Sequence, residues 1–105
     1  MKTSERRKKD KEYLLPKRSL LEIQKITKGI ANHTRIQVVN VLQQQPGLTL
    51  DQITELLNGN FKTISGHIKR LSEAGLVWKK YNGNFVQHTL TEEGKKCAQF
   101  LKSFN

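Results

Sequence analysis

Two amphipathic stretches separated by almost nothing dominate this sequence: LTLDQITELL, then Asn58-Gly59-Asn60, then FKTISGHIKRLSEAGLV. Leu50, Ile53, Leu56 and Leu57 recur at helical spacing in the first, and Phe61, Ile64, Ile68 and Leu71 in the second. Both patterns predict a helix with one buried face. Each stretch carries its own start signal. Thr49 with Gln52 three residues on has the spacing of a capping box, and Asn60 can cap the helix that follows it. Gly59 is expected to supply a left-handed connector residue, and Gly75 to end the second helix at C′. Two short helices joined by so tight a turn make a helix-turn-helix.

The flanking segments extend the pattern. Pro16 opens a helical run in which Leu20, Ile23, Ile26 and Ile30 recur, with Leu21 beside them and Gly29 expected at a frayed end. A second helix is predicted from Asn32 or His33 to Gln44, burying Ile36, Val39 and Leu42 with Val38 alongside, before Pro46-Gly47 breaks it. Downstream, LVWKKYNGNFVQHTL reads as a hairpin around Asn82-Gly83, the dipeptide favoured in type I′ turns. That turn would set Tyr81 opposite Asn84 and Lys79 opposite Val86. Trp78 reads as hairpin core, or as an aromatic stacking on a partner beside Lys79 and Lys80. Thr91 caps a last helix whose first turn holds Glu92 and Glu93, charges suited to a helix N-terminus. The expected fold is therefore mainly α with a small β-hairpin: helix, helix, helix-turn-helix, hairpin, helix over residues 16–105, the layout of a winged helix-turn-helix domain.

Charge narrows the partners. The 105 residues hold 19 Lys+Arg against 9 Asp+Glu, a formal +10, a field that favours polyanions. No apolar run exceeds three residues, so neither a spanning helix nor a signal-peptide core is expected, and the membrane alternative loses its support. A single cysteine excludes an internal disulfide and suits a reducing cytoplasm. Residues 1–15, with Lys2, Arg6, Arg7, Lys8, Lys9 and Lys11, read as a basic flexible arm, either a solubilising tail or a segment laid along phosphates.

The second helix of the pair carries the sharpest signal. Opposite its core stripe lie Lys62, Thr63, Gly66, Lys69 and Arg70, with Ser65 and His67 on the flanks. A helix in the major groove needs a short side chain where its backbone nears base edges and longer donors around it. Gly66 meets the first need, although a mid-helix glycine costs about 1 kcal/mol relative to alanine. Lys62, Thr63 and Ser65 can reach bases or phosphates, and Asn60 leaves free backbone N–H groups nearby. Lys69 and Arg70 are placed to clamp backbone, and His67 to pack or touch phosphate. Lys79, Lys80, Tyr81 and Asn82 at the hairpin complete the expected DNA-binding set. An ordinary solvated face would explain the lysines but not the glycine.

From about Gly29 to Gly94 the chain resembles the ArsR-type family of bacterial and archaeal transcriptional regulators. The matching segments are ANHTRIQVVNVL, LTLDQITELL and ISGHIKRLSEAGLVWKKYNGNFVQHTLTEEG. The strongest piece is Ser65, His67, Ile68 and Leu71 followed by Glu73-Ala74-Gly75-Leu76-Val77. The TEEG junction is also common in MarR-type winged helices, and His33 stands where ArsR-type proteins often have proline. Arg35 matches the arginine of the family's second helix, where it could serve structure or face phosphate. The resemblance implies a cytoplasmic, prokaryotic homodimer that sets its recognition helices in successive major grooves of double-stranded DNA.

Family members often sense metals, but Leu50 to Asn58 holds no cysteine pair and the last helix no ligand cluster, so neither metal nor cofactor is expected. Three scattered histidines without a paired nucleophile give no catalytic assignment, and the chain is not expected to be an enzyme. Leu20, Leu21, Ile23 and Ile26 of the first helix with Cys97, Phe100, Leu101 and Phe104 of the last exceed what one small domain can cover, and are the expected dimer interface. The leading reading is a dimeric sequence-specific DNA-binding regulator, a repressor by resemblance, with any small-molecule or protein inducer left open. The alternative is a winged-helix module for protein association, or for nucleic-acid packing or replication without operator specificity.

Overall fold

Asn32, Thr49, Asn60 and Thr91 each accept a backbone N–H of the first turn behind them, and each starts a helix. The computed structural model describes residues 13–105, so the arm expected over residues 1–15 lies almost wholly outside the described residues. The elements run α1 Lys17–Ile30, α2 His33–Gln44, α3 Leu50–Leu56, α4 Phe61–Glu73, β1 Val77–Asn82, β2 Phe85–Leu90 and α5 Glu92–Lys102. At α3 the capping box is complete: Gln52 N donates to Thr49 Oγ1 at 3.3 Å, and Thr49 N to Gln52 Oε1 at 2.9 Å. Thr91 has two tasks, accepting from Gly94 N at 3.0 Å and donating to Gly75 O at 2.7 Å. It thereby ties the start of α5 to the end of α4. Pro16 stands at the N-cap of α1, one position before the first helical residue.

Val38, Val39, Leu42, Ile53, Ile64, Ile68, Leu71 and Leu76 are buried together where α2, α3 and α4 meet, and Val77, Leu90, Cys97 and Ala98 close the core from the hairpin and α5. α1 rests on α2 and α4, and α5 on α2 and β2. Several expected core positions lie elsewhere. Leu56, at the end of the two-turn α3, is exposed, while Ile53 and Leu57 turn inward. Phe61 opens α4 one turn ahead of Ile64 and is 52% exposed, overhanging a cleft beside the hairpin. Trp78 follows the buried Val77, so strand alternation points it outward, 63% exposed. Ile36 is only half-buried, because the fully buried face of α2 is Val38, Val39 and Leu42.

Two turns differ from expectation. Asn58, not Gly59, takes the left-handed backbone after α3, at φ +49, a conformation asparagine tolerates at C′. At Gly59 the space is tight instead: a β-carbon there would sit 3.0 Å from Ile64 Cγ1, so the Ile64 side chain would have to give by a few tenths of an ångström. The hairpin pairs Asn82 with Phe85, Tyr81 with Val86 and Lys79 with His88, two residues away from the expected register. The loop is thus Gly83-Asn84, with a positive φ only at Gly83, the type II′ pattern rather than I′. This register sets Val77 opposite Leu90, both inward, which the expected one would not have done. Leu48 adds a bridge to His88, anchoring the segment before α3 to the hairpin.

Gly29 does not mark a frayed end. It is buried, α1 runs through to Ile30, and a β-carbon at position 29 would lie 2.6 Å from Ala74 Cβ. Glycine is what lets α1 lie against the end of α4.

Candidate nucleic-acid interface

The Asn60 carboxamide builds the start of the candidate face. Its Oδ1 accepts from Thr63 N at 3.0 Å and from the Thr63 hydroxyl at 3.3 Å, so the Thr63 hydroxyl, expected free for DNA, is held to the cap. Ile64, Ile68 and Leu71 sink into the core and thereby turn Lys62, Thr63, Gly66, Lys69 and Arg70 outward on one exposed face. Nothing lies within 4 Å of where a Gly66 β-carbon would be. Ser65 and His67 are half-buried on the flanks, as their spacing predicts.

The hairpin divides its residues by strand alternation. Lys79 and Tyr81 share the side of the buried Val77 and line a cleft of about 340 Å³ with Phe61, Phe85, Leu50 and His88. Lys80 and Asn82 alternate to the other side, and all four are exposed. Among the described residues the one ion pair is Lys95–Glu92, at 3.6 Å on the surface of α5. The cations of α4 and the hairpin therefore face solvent without a carboxylate partner, which leaves their field available to a polyanion.

Sequence reading missed two histidine environments. His67 Nδ1 accepts from Arg35 Nη1 at 3.1 Å, while Arg35 Nε donates to Gly29 O at 2.7 Å and Nη2 to Lys28 O at 3.4 Å. Arg35 thus joins α1, α2 and α4. Burial, then the charges of Arg35, Arg70 and His33, hold the His67 pKa below its ordinary 6.5. His88 is buried in β2, and because a carbonyl can only accept, its Nδ1 donates to Leu48 O at 2.9 Å. Burial lowers its pKa, opposed by that hydrogen bond and aided by Lys79. The place of His88 between Val86 and Leu90 in a period-two strand was the signal available for it.

Of the expected dimer residues, Leu20, Leu21, Ile23, Phe100 and Phe104 are exposed, the last two stacked edge to face with centroids 5.0 Å apart. Ile26 and Leu101 are half-buried against the core. Cys97 is already buried within the single chain, where burial, then Glu93, pushes its thiol pKa up. Among the described residues no three His, Cys, Asp or Glu side chains gather as a metal site would need, and no helix is long and apolar enough to cross a membrane.

A helix-turn-helix whose second helix bares a basic face, flanked by a two-stranded wing and closed by a final helix, is a winged helix-turn-helix domain. Residues 32–79 match the family model described as bacterial regulatory protein, arsR family. The chain is 25% identical over 82 residues to the cadmium resistance transcriptional regulatory protein CadC homolog of Staphylococcus aureus, covering 78% of this chain and 68% of that one. It is 30% identical over 74 residues to an uncharacterized HTH-type transcriptional regulator of Methanocaldococcus jannaschii, covering 70% of this chain but only 18% of that protein. In fold it is similar to the homodimeric winged helix-turn-helix DNA-binding domain of Mb0332 from Mycobacterium bovis, with a TM-score of 0.75 at 22% identity over 84% of this chain and 82% of that one. The chain thus has the winged helix-turn-helix fold, and over residues 32–79 it is similar to the ArsR family of bacterial regulatory proteins.

Proposed function

We propose that this protein binds double-stranded DNA sequence-specifically as a homodimer and represses transcription from the sites it occupies. The observation that carries the reading is the α4 face: Lys62, Lys69 and Arg70 surround Gly66, where open space reaches the helix backbone. That face can lie against base edges, with Lys62 and Thr63 foremost and Lys69 and Arg70 on phosphates. Lys79, Lys80, Tyr81 and Asn82 would contact the neighbouring backbone, and the basic arm would add charge without sequence information.

Dimerisation rests on the apolar strips that α1 and α5 leave uncovered, and on the homodimeric state of the Mycobacterium bovis domain. Two recognition helices related by a two-fold axis would read an inverted repeat with half-sites about one helical turn apart. Selection of genomic fragments with the purified protein tests this directly. One inverted repeat should be enriched and bound well above random duplex at physiological salt. A steep salt dependence with no preferred sequence would instead favour nucleic-acid packing.

A further inference from the structure

Arg35 is spent on contacts within the protein. Two of its nitrogens reach the last carbonyls of α1 and a third reaches the imidazole of α4. We propose that Arg35 is a positioning residue that locks α4 to the end of α1 through His67, and that protonation of His67 opens the lock and blurs discrimination between DNA sequences. This rests on the reading of α4 as the DNA-recognition helix.

The chemistry of the pair dictates its proton state. Arginine stays charged at any relevant pH and has donors only, so Nδ1 of His67 must offer its lone pair. The imidazole is then neutral, with its proton on Nε2. A second proton would have to go on Nδ1, where it would face the guanidinium. The hydrogen bond would become a contact between two cations. The charged and titratable groups around the ring all act in one direction: Arg35 and His33 from α2, and Arg70 from α4 itself. Lys25 and Lys28 of α1 share a depression of about 220 Å³ with Arg35 and Arg70, and its one carboxylate is Glu73. Among the described residues none of these cations forms an ion pair.

A second attachment makes this contact directional. The Gly29–Ala74 approach fixes the C-terminal end of α4 to α1, and His67 lies seven residues earlier, about 10 Å along the helix at 1.5 Å per residue. Both meet α1 at Lys28–Gly29, so together they set the angle at which the His67–Ala74 length of α4 lies across the end of α1. With the His67 attachment gone, the helix is still held at Ala74 and by Ile64, Ile68 and Leu71, but its Lys62–Gly66 half loses its nearest polar restraint. If α1 meets its mate at the dimer axis, that angle sets how the two recognition faces fit successive grooves.

Protonation has two effects on binding that can be told apart. An added positive charge tightens every duplex alike. A loosened recognition helix weakens only the fit to the preferred sequence. The diagnostic quantity is therefore the ratio of specific to non-specific affinity, not either affinity alone.

The experiment uses the full chain, a duplex selected by the protein at pH 7.5, and random-sequence duplex of equal length, at constant salt from pH 7.5 to 5.5. For wild type the ratio should fall as pH drops below 6.5, heading toward the roughly tenfold loss that full protonation would give, the scale of one lost charge-assisted hydrogen bond. His67→Asn keeps an amide oxygen near the Nδ1 position and cannot protonate, so its ratio should stay flat near the wild-type value at pH 7.5. Arg35→Lys keeps the charge without the fork, and its ratio should be low throughout, in a variant shown to be folded by its melting curve. A wild-type ratio that ignores pH, or a fall that persists in His67→Asn, overturns the proposal. Imidazole nitrogen NMR shifts of the DNA-free protein decide the lock separately, even if no duplex is ever selected. A His67 protonated on Nε2 alone and titrating below 6.5 supports it; one protonated on Nδ1 at neutral pH overturns it.

Discussion

Gly29 lies so close to Ala74 that a β-carbon added to it would come within 2.6 Å of the Ala74 β-carbon. An alanine at position 29 would improve the helix propensity of α1 by about 1 kcal/mol, yet the contact is between the fixed ends of two helices. The strain of forcing them apart, about 1–3 kcal/mol for an overpacked site, should win. Gly29→Ala is expected to lower Tm, and an unchanged or raised Tm would show that α1 does not seat on α4 as described.

The two shifted histidines give a pH dependence of stability. Both have folded pKa values below 6.5, set mainly by burial, so the unfolded chain takes up protons first as pH falls. Stability should be level with respect to these groups above about pH 6.5 and decline below it, until the folded state is protonated too. Tm measured from pH 8 to 5 should drop on the acid side. The drop should shrink in His67→Asn, and a variant with an unaltered acid limb would remove His67 from the account.

Exposed apolar residues on α1 and α5 should govern assembly. Leu21 and Phe104 are both more than half exposed in the single chain, so Leu21→Asp or Phe104→Asp should leave a folded monomer. Leu101 packs partly against the core, and Leu101→Asp should also cost stability. Sedimentation gives the mass directly. Wild type that stays monomeric at high micromolar concentration contradicts the proposed dimer.

Much of this molecule was legible in advance because its helices announce themselves twice, by apolar spacing and by caps. Thr49, Asn60 and Thr91 cap as their chemistry predicts, and Gly75 takes its positive φ after α4. Where local rules compete, single-residue reading fell short. Asn82-Gly83 and Gly83-Asn84 are both good hairpin turns, and what decides is the inward pairing of Val77 with Leu90, a tertiary effect. Phe61 fits the helical stripe of α4, but the first turn extends beyond the core that Ile64 begins. The candidate face of α4 followed directly from periodicity. The Arg35–His67 contact, 32 residues apart in sequence, had no local signature at all.

Salt dependence tests the wing. Lys79 and Lys80 are exposed and have no acidic partner among the described residues. Replacing both with glutamine should weaken selected and random duplexes about equally and flatten the salt slope by roughly one counterion per lost phosphate contact. A loss confined to the selected duplex would mean that the hairpin reads sequence.

The most direct measurement joins stability and affinity at Gly66. Since nothing lies within 4 Å of a β-carbon there, Gly66→Ala should stabilise the fold by about 0.5–1 kcal/mol, and Gly66→Leu should fold as well as wild type. If the face around Gly66 enters the major groove, leucine must collide with base edges, and affinity for the selected duplex should fall at least tenfold with Tm intact. A folded Gly66→Leu protein that binds the selected duplex as tightly as wild type would contradict the assignment of this face to DNA.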